Sequence, residues 1–435
     1  MTIKKLLKSL IKVKPIKILN YHFNEIENVL YIHVSLTKGQ RHRCPICHKR
    51  CPGYDTITIQ RRWRTLDFGT LLVYIVADVE RIECKEHGVL SEAVPWAYHN
   101  SRFTKVFEAH AIFFATRLTK TDVADTLRID WRTVGEIIKR CKDRIDPDHT
   151  LRYDGLVRIG IDETSYKKGH KYLTVIVDHD TSEVVWCHKG HGKEVLRLFF
   201  EELTKDQRAS IKLVSADGAR WIAEVCDEYL EDYDRCIDRY HVTSWCIEAL
   251  DELRKEIWRD IKSKEKEAPK RDRGRPLKGV EVTRSSDYQK PFKYSLGKNP
   301  DHLTENQKAT LLLIEKKHPR LYRAYLIKES LRAVFDSEDP ESSLKAWLNW
   351  ASHSKLRPIV ELSKKIRKHK EAILATCHHR LSNARIEAIN NKIKVIIRKA
   401  YGFRNIDNLL AMIMITCSDL YKQIMPAYRL DPYAL

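Results

Sequence analysis

Two short motifs, Cys44-Pro45-Ile46-Cys47 and Cys84-Lys85-Glu86-His87, constrain the fold of this chain more than any other feature. Each has two residues between its ligands, and 36 residues separate the motifs. Two such knuckles close a tetrahedral Cys₃His zinc (Zn²⁺) site, coordinatively saturated and therefore structural. The intervening span is longer than in a compact finger and carries strand-like segments such as Leu71-Leu72-Val73-Tyr74-Ile75-Val76. Residues 41–100 are therefore expected to form a small β-rich zinc domain, after an N-terminal segment 1–40. Cys51 and His48 lie close enough in sequence to compete as ligands. Buried cysteines without metal are the bland alternative, but a paired knuckle arises by chance far less often than one C-x-x-C.

Charge narrows the partner. Among 435 residues, Lys and Arg outnumber Asp and Glu by 79 to 59, a net charge of +20. Each phosphate that a basic side chain neutralises releases condensed counterions, so such an excess favours nucleic acid. No apolar run is long enough to span a bilayer and the mean hydropathy is −0.46, which argues against membrane insertion. The first eight residues interrupt apolar positions with lysines and show no signal-cleavage pattern. Eleven cysteines, an odd number mostly scattered singly, fit a reducing cytosol better than a secreted disulfide framework.

Residues 101–145 read as helices, within an expected helix-turn-helix domain at 101–150. Thr119-Lys120-Thr121-Asp122 has capping-box form, and Val123, Ala124 and Leu127 give the helix that follows an apolar face. Arg128-Ile129-Asp130 makes a turn, with Asp130 able to cap a second helix from Trp131 to about Cys141. That helix buries Val134, Ile137 and Ile138 and leaves Trp131, Arg132, Thr133, Glu136, Lys139 and Arg140 outside. A second helix of this kind enters a major groove with its N-terminal residues nearest the bases. Arg128 stands where such turns often have Gly, so its backbone must avoid positive φ or accept strain. A helical hairpin in an ordinary core would show the same pattern.

From about residue 151 strands dominate. Asp162 ends the apolar run Leu156-Val157-Arg158-Ile159-Gly160-Ile161 and is expected at the C-terminal edge of a strand. Asp217 ends a second run, Ile211-Lys212-Leu213-Val214-Ser215-Ala216, and Gly218 after it leaves room for close approach. Far downstream, Ile386, Ile389, Ile393 and Ile397 recur at helical spacing as a packing stripe. Glu387 falls beside them on a polar face with Asn383, Asn390, Asn391 and Lys394. Arg385, Lys392, Arg398, Lys399 and Arg404 add positive charge suited to phosphate contacts. Two strand-end carboxylates joined by one from a helix can hold two Mg²⁺ ions against a scissile phosphate. Asp178 and Asp180 also follow a strand and are decoys for the same role.

These pieces together resemble the DDE transposases of bacterial insertion sequences, in the branch called ISL-three. The matching stretches are both knuckles, the helix-turn-helix, Ile161-Asp162-Glu163, Lys168-Gly169-His170-Lys171-Tyr172, Asp238-Arg239-Tyr240-His241-Val242 and Ser382-Asn383-Ala384-Arg385-Ile386-Glu387-Ala388-Ile389-Asn390-Asn391-Lys392. The last continues into Arg398-Lys399-Ala400-Tyr401-Gly402-Phe403-Arg404-Asn405, and the similarity covers nearly the whole chain. At Gly218 the family usually shows a different residue. The resemblance implies a multidomain α/β protein with a ribonuclease-H-like catalytic fold. Residues 151–245 form its first part and 376–435 its C-terminal helical part, interrupted by a mostly α-helical insertion at 246–375. It also implies that Asp162, Asp217 and Glu387 bind catalytic Mg²⁺ or Mn²⁺, with His241 nearby, against the bland reading of a packed helix-start histidine.

The expected protein is a bacterial, cytoplasmic, nucleoid-associated transposase. Its partners would be double-stranded DNA, as element ends and as target, and further copies of itself in a dimer or larger assembly. The DNA contacts expected are Trp131, Arg132, Thr133, Lys139, Arg140, Arg385, Asn391, Lys394, Arg398 and Lys399. Two rivals remain: a transposase-derived regulator that binds without chemistry, and a nuclease that cuts without joining. In the insertion, Arg273-Gly274-Arg275-Pro276 has the form of a minor-groove reader, although a solvated basic loop has the same composition.

Overall fold

The computed structural model describes residues 2–11, 13, 16–267, 290–381 and 384–429. Arg273-Gly274-Arg275-Pro276, Ser382 and Asn383 lie outside them. The chain divides into two compact units, Met1–His149 with Lys392–Leu435, and Thr150–Asn391.

The first unit opens with helix α1 (Ile3–Ile11) and strands β1 (Ile16–Asn24), β2 (Val29–Leu36), β3 (Gly53–Arg64), β4 (Leu72–Cys84) and β5 (Gly88–Ser91). They form one sheet in the order β1-β2-β4-β3, with β5 paired to β4. Alternation along β2 turns Leu30, Ile32 and Val34 inward to meet Val73, Ile75, Trp63 and Trp96. Trp63 and Trp96 pack edge to face at 5.3 Å. Burying each such side chain contributes about 1.5–3 kcal/mol relative to leaving it in water. Strand β4 runs well past the apolar stretch visible in sequence and carries Cys84 at its end, where it pairs with Gly88.

Helices α2 (Lys105–Ala115), α3 (Lys120–Leu127) and α4 (Trp131–Ile145) follow. Thr119 and Asp122 form the expected reciprocal capping box, and Asp130 accepts from the Arg132 N–H at 2.7 Å. Arg128 does adopt the left-handed region, at φ 52°. Its guanidinium pairs with Asp67 and donates to the Thr70 carbonyl at 2.9 Å, contacts that offset the strain and that Gly would lack. Helix α4 continues past Cys141 because Lys142 and Arg144 favour its C-terminal dipole end, stopping at Asp146 before Pro147.

The second unit is built on β6 (Arg158–Lys167), β7 (Lys171–Asp178), β8 (Glu183–Lys189), β9 (Leu213–Ala216) and β10 (Asp234–Ile237), with α5 (Lys193–Glu202) and α6 (Lys205–Ser210) before β9 and α7 (Arg220–Tyr229) after it. The sheet order is β10-β9-β6-β7-β8. Strands β6, β7 and β8 form an antiparallel meander, and β9 and β10 lie parallel on the other side of β6. Ile159 and Ile161 point into a core with Leu196, Phe199, Phe200, Ile222 and Val225. Period-two alternation therefore turns Gly160 and Asp162 to the opposite face.

A long helical segment follows: α8 (Arg239–Glu267), α9 (Lys290–Gly297), α10 (Glu305–Lys317), α11 (Pro319–Val334), α12 (Pro340–Ser352), α13 (Arg357–Lys368) and α14 (Lys370–His378). Its shared core includes Leu250, Ile314, Ile327, Trp347, Ile359 and Ile373. The helices begin before the expected limit of 246, because Asp238 at the end of β10 accepts from the Tyr240 N–H at 2.9 Å and starts α8 at once.

Helix α15 (Ala384–Lys399) contains the division between the two units, and α16 (Ile406–Cys417) and α17 (Leu420–Arg429) close the described chain. The residues from Lys392 onward group with the first unit. The cause is packing: α16 lies on α4 and α17 on α2. Gly135 of α4 has no Cβ, and the Asn408 side chain of α16 fills that space.

Candidate active site and zinc centre

Cys44, Cys47, Cys84 and His87 converge, with all four ligand atoms within 4.8 Å of one another. Cys47 Sγ and Cys84 Sγ are 3.7 Å apart, and His87 Nδ1 lies 3.5 Å from Cys84 Sγ and 3.7 Å from Cys44 Sγ. A tetrahedron with Zn–S of about 2.3 Å and Zn–N of about 2.0–2.1 Å has edges of roughly 3.6–3.8 Å. The ligand spacing fits zinc. His87, followed by the Glu86 backbone, draws the Cys84 thiol down to about 6, toward the thiolate that binds metal. Cys51 and His48 fall outside the four-residue group; Cys51 Sγ faces the Lys49 carbonyl instead.

Asp162 does not end its strand. Strand β6 continues to Lys167 because residues 162–167 pair with β7 around a turn at Gly169 and His170, both at positive φ. What ends at Asp162 is the parallel neighbour. The β6–β9 register runs from Arg158 with Leu213 to Gly160 with Ser215. Two residues further, the same register sets Asp162 level with Asp217. The β9–β10 register, ending at Ile237 with Ala216, sets Asp238 level with Asp217 in turn. Asp162 within β6 and Asp217 and Asp238, each one residue past the end of β9 and β10, are thus level with one another, and the third was not read from sequence as a site carboxylate.

Asp162 and Asp217 line a cavity of about 540 Å³ together with Glu163, His170, His191 and His241. Burial pushes the Asp162 carboxyl up, and the neighbouring Asp217 adds to this. The Glu163 N–H, the Asn390 amide and His241 pull it back. Glu163, half-buried, is raised by the same desolvation, and its Oε1 accepts from the Gly192 N–H at 3.1 Å. Sequence reasoning missed Glu163, His170 and His191 as lining groups; Glu163 and His170 lay in quoted motifs, but nothing local marks His191.

Glu387 is not drawn into that cavity. It is exposed and lines a neighbouring one with Asp238, Arg239, Thr376 and Arg380. His241 Nε2, from the first cavity, lies 4.0 Å from Asp238 Oδ2 of the second. Among the described residues no carboxylate trio gathers its oxygens within 4.8 Å. The residue of α15 that does reach Asp162 is Asn390, buried although sequence set it on the polar face. Helix α15 approaches β6 this closely because Gly160 has no Cβ: Ile386 and His179 occupy its place. Gly218 serves a similar purpose, making room for the Trp245 ring rather than for a ligand. The decoys have structural roles: Asp178 accepts from the Asp180 and Thr181 N–H groups, and Asp180 pairs with Arg158.

The expected DNA contacts divide. Arg132, Lys139, Asn391, Lys394 and Arg398 are exposed, and Thr133 is half-buried. Arg140 is not free as expected: it is held at 2.7 Å by Glu108 of α2, a carboxylate only 1% exposed. Trp131 is covered by Lys120, 3.3 Å from its ring centre, and by Arg404 at 5.9 Å. Arg385 donates to the His179 carbonyl, and Lys399 Nζ reaches the Ala115 carbonyl at 3.4 Å. Helical periodicity shows which side chains leave a helix, but not what stands opposite them.

No helix of the described residues is long and apolar enough to cross a membrane. Comparison with known proteins accounts for all three parts. Residues 40–87 match the zinc-finger of transposase IS204/IS1001/IS1096/IS1165, and residues 92–141 match the helix-turn-helix domain of transposase family ISL3. Residues 159–413 match the DDE transposase domain of that family. The transposase for insertion sequence element IS1557 of Mycobacterium tuberculosis (strain ATCC 25618 / H37Rv) is 43% identical over 399 residues, covering 90% of this chain and 88% of that protein. The transposase for IS1001 of Bordetella parapertussis is 26% identical over 372 residues, covering 83% and 85%. With zinc knuckles, helix-turn-helix and aspartate-bearing sheet matched in order along the chain, the protein belongs to the ISL3 family of DDE transposases.

Proposed function

We propose that this transposase binds the terminal inverted repeats of an insertion sequence and catalyses both strand cleavage and strand transfer. The reading of the catalytic part as ribonuclease-H-like, interrupted by a helical insertion, is supported by the meander β6-β7-β8 flanked by parallel β9 and β10. The observation that carries the chemistry is the level placement of Asp162 and Asp217 on one cavity, where their charges oppose each other. Such a donor set fits a hard divalent cation. Asp162 and Asp217 would hold Mg²⁺ or Mn²⁺, with Glu387, one helical turn before Asn390, as the third carboxylate. When bound, the metal supplies charge compensation for the attacking and leaving oxygens of an in-line displacement.

The chain's own groups set the geometry. The Glu163 N–H and Asn390 amide fix both Asp162 oxygens, at 2.7 and 2.5 Å, so the carboxylate is held before DNA arrives. His241 faces the same cavity and favours the ionised form of Asp162. Water and then a freed 3′-OH would be activated at this one place. The helix-turn-helix reads the repeat, the zinc domain supports it, and joining two ends calls for a dimer or larger assembly on DNA.

A strand-transfer assay with labelled element ends and Mg²⁺ tests this. Wild-type protein should cut and join, and Asp162→Asn protein should bind the same DNA and do neither. Normal joining by Asp162→Asn would overturn the carboxylate assignment. Wild-type cutting without joining would identify a nuclease, and binding without cutting a regulator.

A further inference from the structure

A cleft of about 570 Å³ lies between the zinc domain and the helix-turn-helix, and it is lined by none of Cys44, Cys47, Cys84 and His87 and by none of Arg132, Glu136 and Lys139. Its walls carry Arg61 from β3, Lys105 from the start of α2, and Arg140 and Arg144 from α4, around Tyr98. The two α4 arginines share a buried counter-charge, Glu108, at 2.7 and 3.7 Å. Arg61 and Lys105 make no ion pair among the described residues. Lys105 Nζ instead sits 5.1 Å from the centre of the Tyr98 ring, whose other cation, Arg144, is 3.8 Å away.

Like charges therefore crowd one half-buried space. Burial and then Arg144 lower the Lys105 ammonium, and burial and then Arg61 lower His99 on the same wall. Two acids also line the cleft. Glu92 is committed to the N–H groups of His42 and Glu80, at 2.8 and 3.1 Å, and Asp143 is exposed at the rim. Helical spacing puts Asp143 on the same face of α4 as Arg132, Glu136 and Lys139, so the cleft opens directly beside the reading face. An anion entering it would relieve the crowding. The anion found next to a helix seated in a major groove is the DNA backbone phosphate.

We propose that this cleft seats a backbone phosphodiester flanking the groove read by α4, with Arg61 and Lys105 as its contacts; this rests on the reading of α4 as the base-reading helix. The zinc domain then holds DNA directly through Arg61, supplying affinity and register rather than sequence preference.

The test is the salt dependence of full-length protein binding to an element-end duplex and to an unrelated duplex. Arg61→Gln and Lys105→Gln should each reduce the slope of log Kobs against log salt by about 0.9, the value for one lost phosphate contact. Both duplexes should be weakened by the same factor, and Arg61→Lys should keep the wild-type slope. An unchanged slope in both variants, or a loss confined to the element end, overturns the proposal. If Arg61→Gln loses its zinc, Lys105→Gln decides alone, because Lys105 lies outside the zinc domain's sheet. Arg132→Ala separates the two readings: if it fails to weaken element-end binding selectively, the base-reading role of α4 fails, whatever the slopes show.

Discussion

Asn390 Nδ2 donates to Asp162 Oδ2 at 2.5 Å, tying helix α15 to strand β6 across 228 residues of sequence. Asn390 is 8% exposed, and its own Oδ1 has no hydrogen-bond partner among the described residues. An amide buried with half its capacity unused is costly unless it fixes something that matters. What it fixes is the orientation of a carboxylate already raised by burial.

Asn390→Ala should therefore slow strand cleavage by about 10–100-fold, the usual effect of removing an outer partner of a metal ligand. DNA binding should stay unchanged. Asn390→Asp places a second carboxylate beside Asp162, raises it further, and should move the onset of cleavage to higher pH. Cleavage rates against pH and Mg²⁺ concentration check both, and wild-type behaviour of Asn390→Ala would remove Asn390 from any positioning role.

The cluster of Cys44, Cys47, Cys84 and His87 was legible in the sequence, because the spacing within a knuckle is local. The meeting of Asp162 and Asp217 on one cavity was legible because each follows an apolar run. Asp238 follows only Cys236 and Ile237, too short a run to signal a strand, and its level with Asp217 exists only in the parallel register. Asn390 sits at the border of the polar and apolar faces of α15, so periodicity alone does not decide its side. Gly160, by admitting Ile386, decides it. Arg140 looked free for the same kind of reason: Glu108 lies on another helix, 32 residues away.

Stability should depend on pH through His179. Burial, then Arg385 and Arg158, push this histidine down to about 4 from 6.5, and its Nε2 lies 2.6 Å from Ser215 Oγ. Above about pH 6.5 the ring is neutral in both folded and unfolded chains, and its contribution is fully present. As pH falls from 6.5 toward 4, the unfolded chain takes up a proton that the folded one refuses, and about 3 kcal/mol is lost. Urea unfolding across this range should show that loss in wild type and a flatter dependence in His179→Gln. Equal pH dependence in the two proteins would refute the assignment.

Metal analysis should return about one zinc per chain, as a single four-ligand site requires. Cys84→Ser should abolish it, while Cys51→Ser should retain it, since Cys51 lies outside the ligand group. Chelation should also unfold the end of the sheet where β4 delivers Cys84 and pairs with β5. Stoichiometric zinc in Cys84→Ser protein, or its loss in Cys51→Ser, would require a different ligand set. Hydrogen exchange at residues 80–91 before and after chelation reads the structural part.

Arg140 and Arg132 share helix α4 but should fail in different ways. Removing Arg140 leaves the Glu108 carboxylate, 1% exposed, with Ser101 at 2.7 Å and Arg144 at a longer 3.7 Å. Arg140→Ala should thus cost about 1–3 kcal/mol of stability, the penalty for an under-paired buried polar group. Arg132 is exposed, so Arg132→Ala should alter stability by no more than about 0.5 kcal/mol. Its loss should appear on DNA, where a base-edge contact contributes about 1–3 kcal/mol of discrimination. Thermal melts and competition between element-end and unrelated duplexes separate the two effects. An Arg140→Ala protein that melts like wild type but loses selective binding would return Arg140 to the reading face.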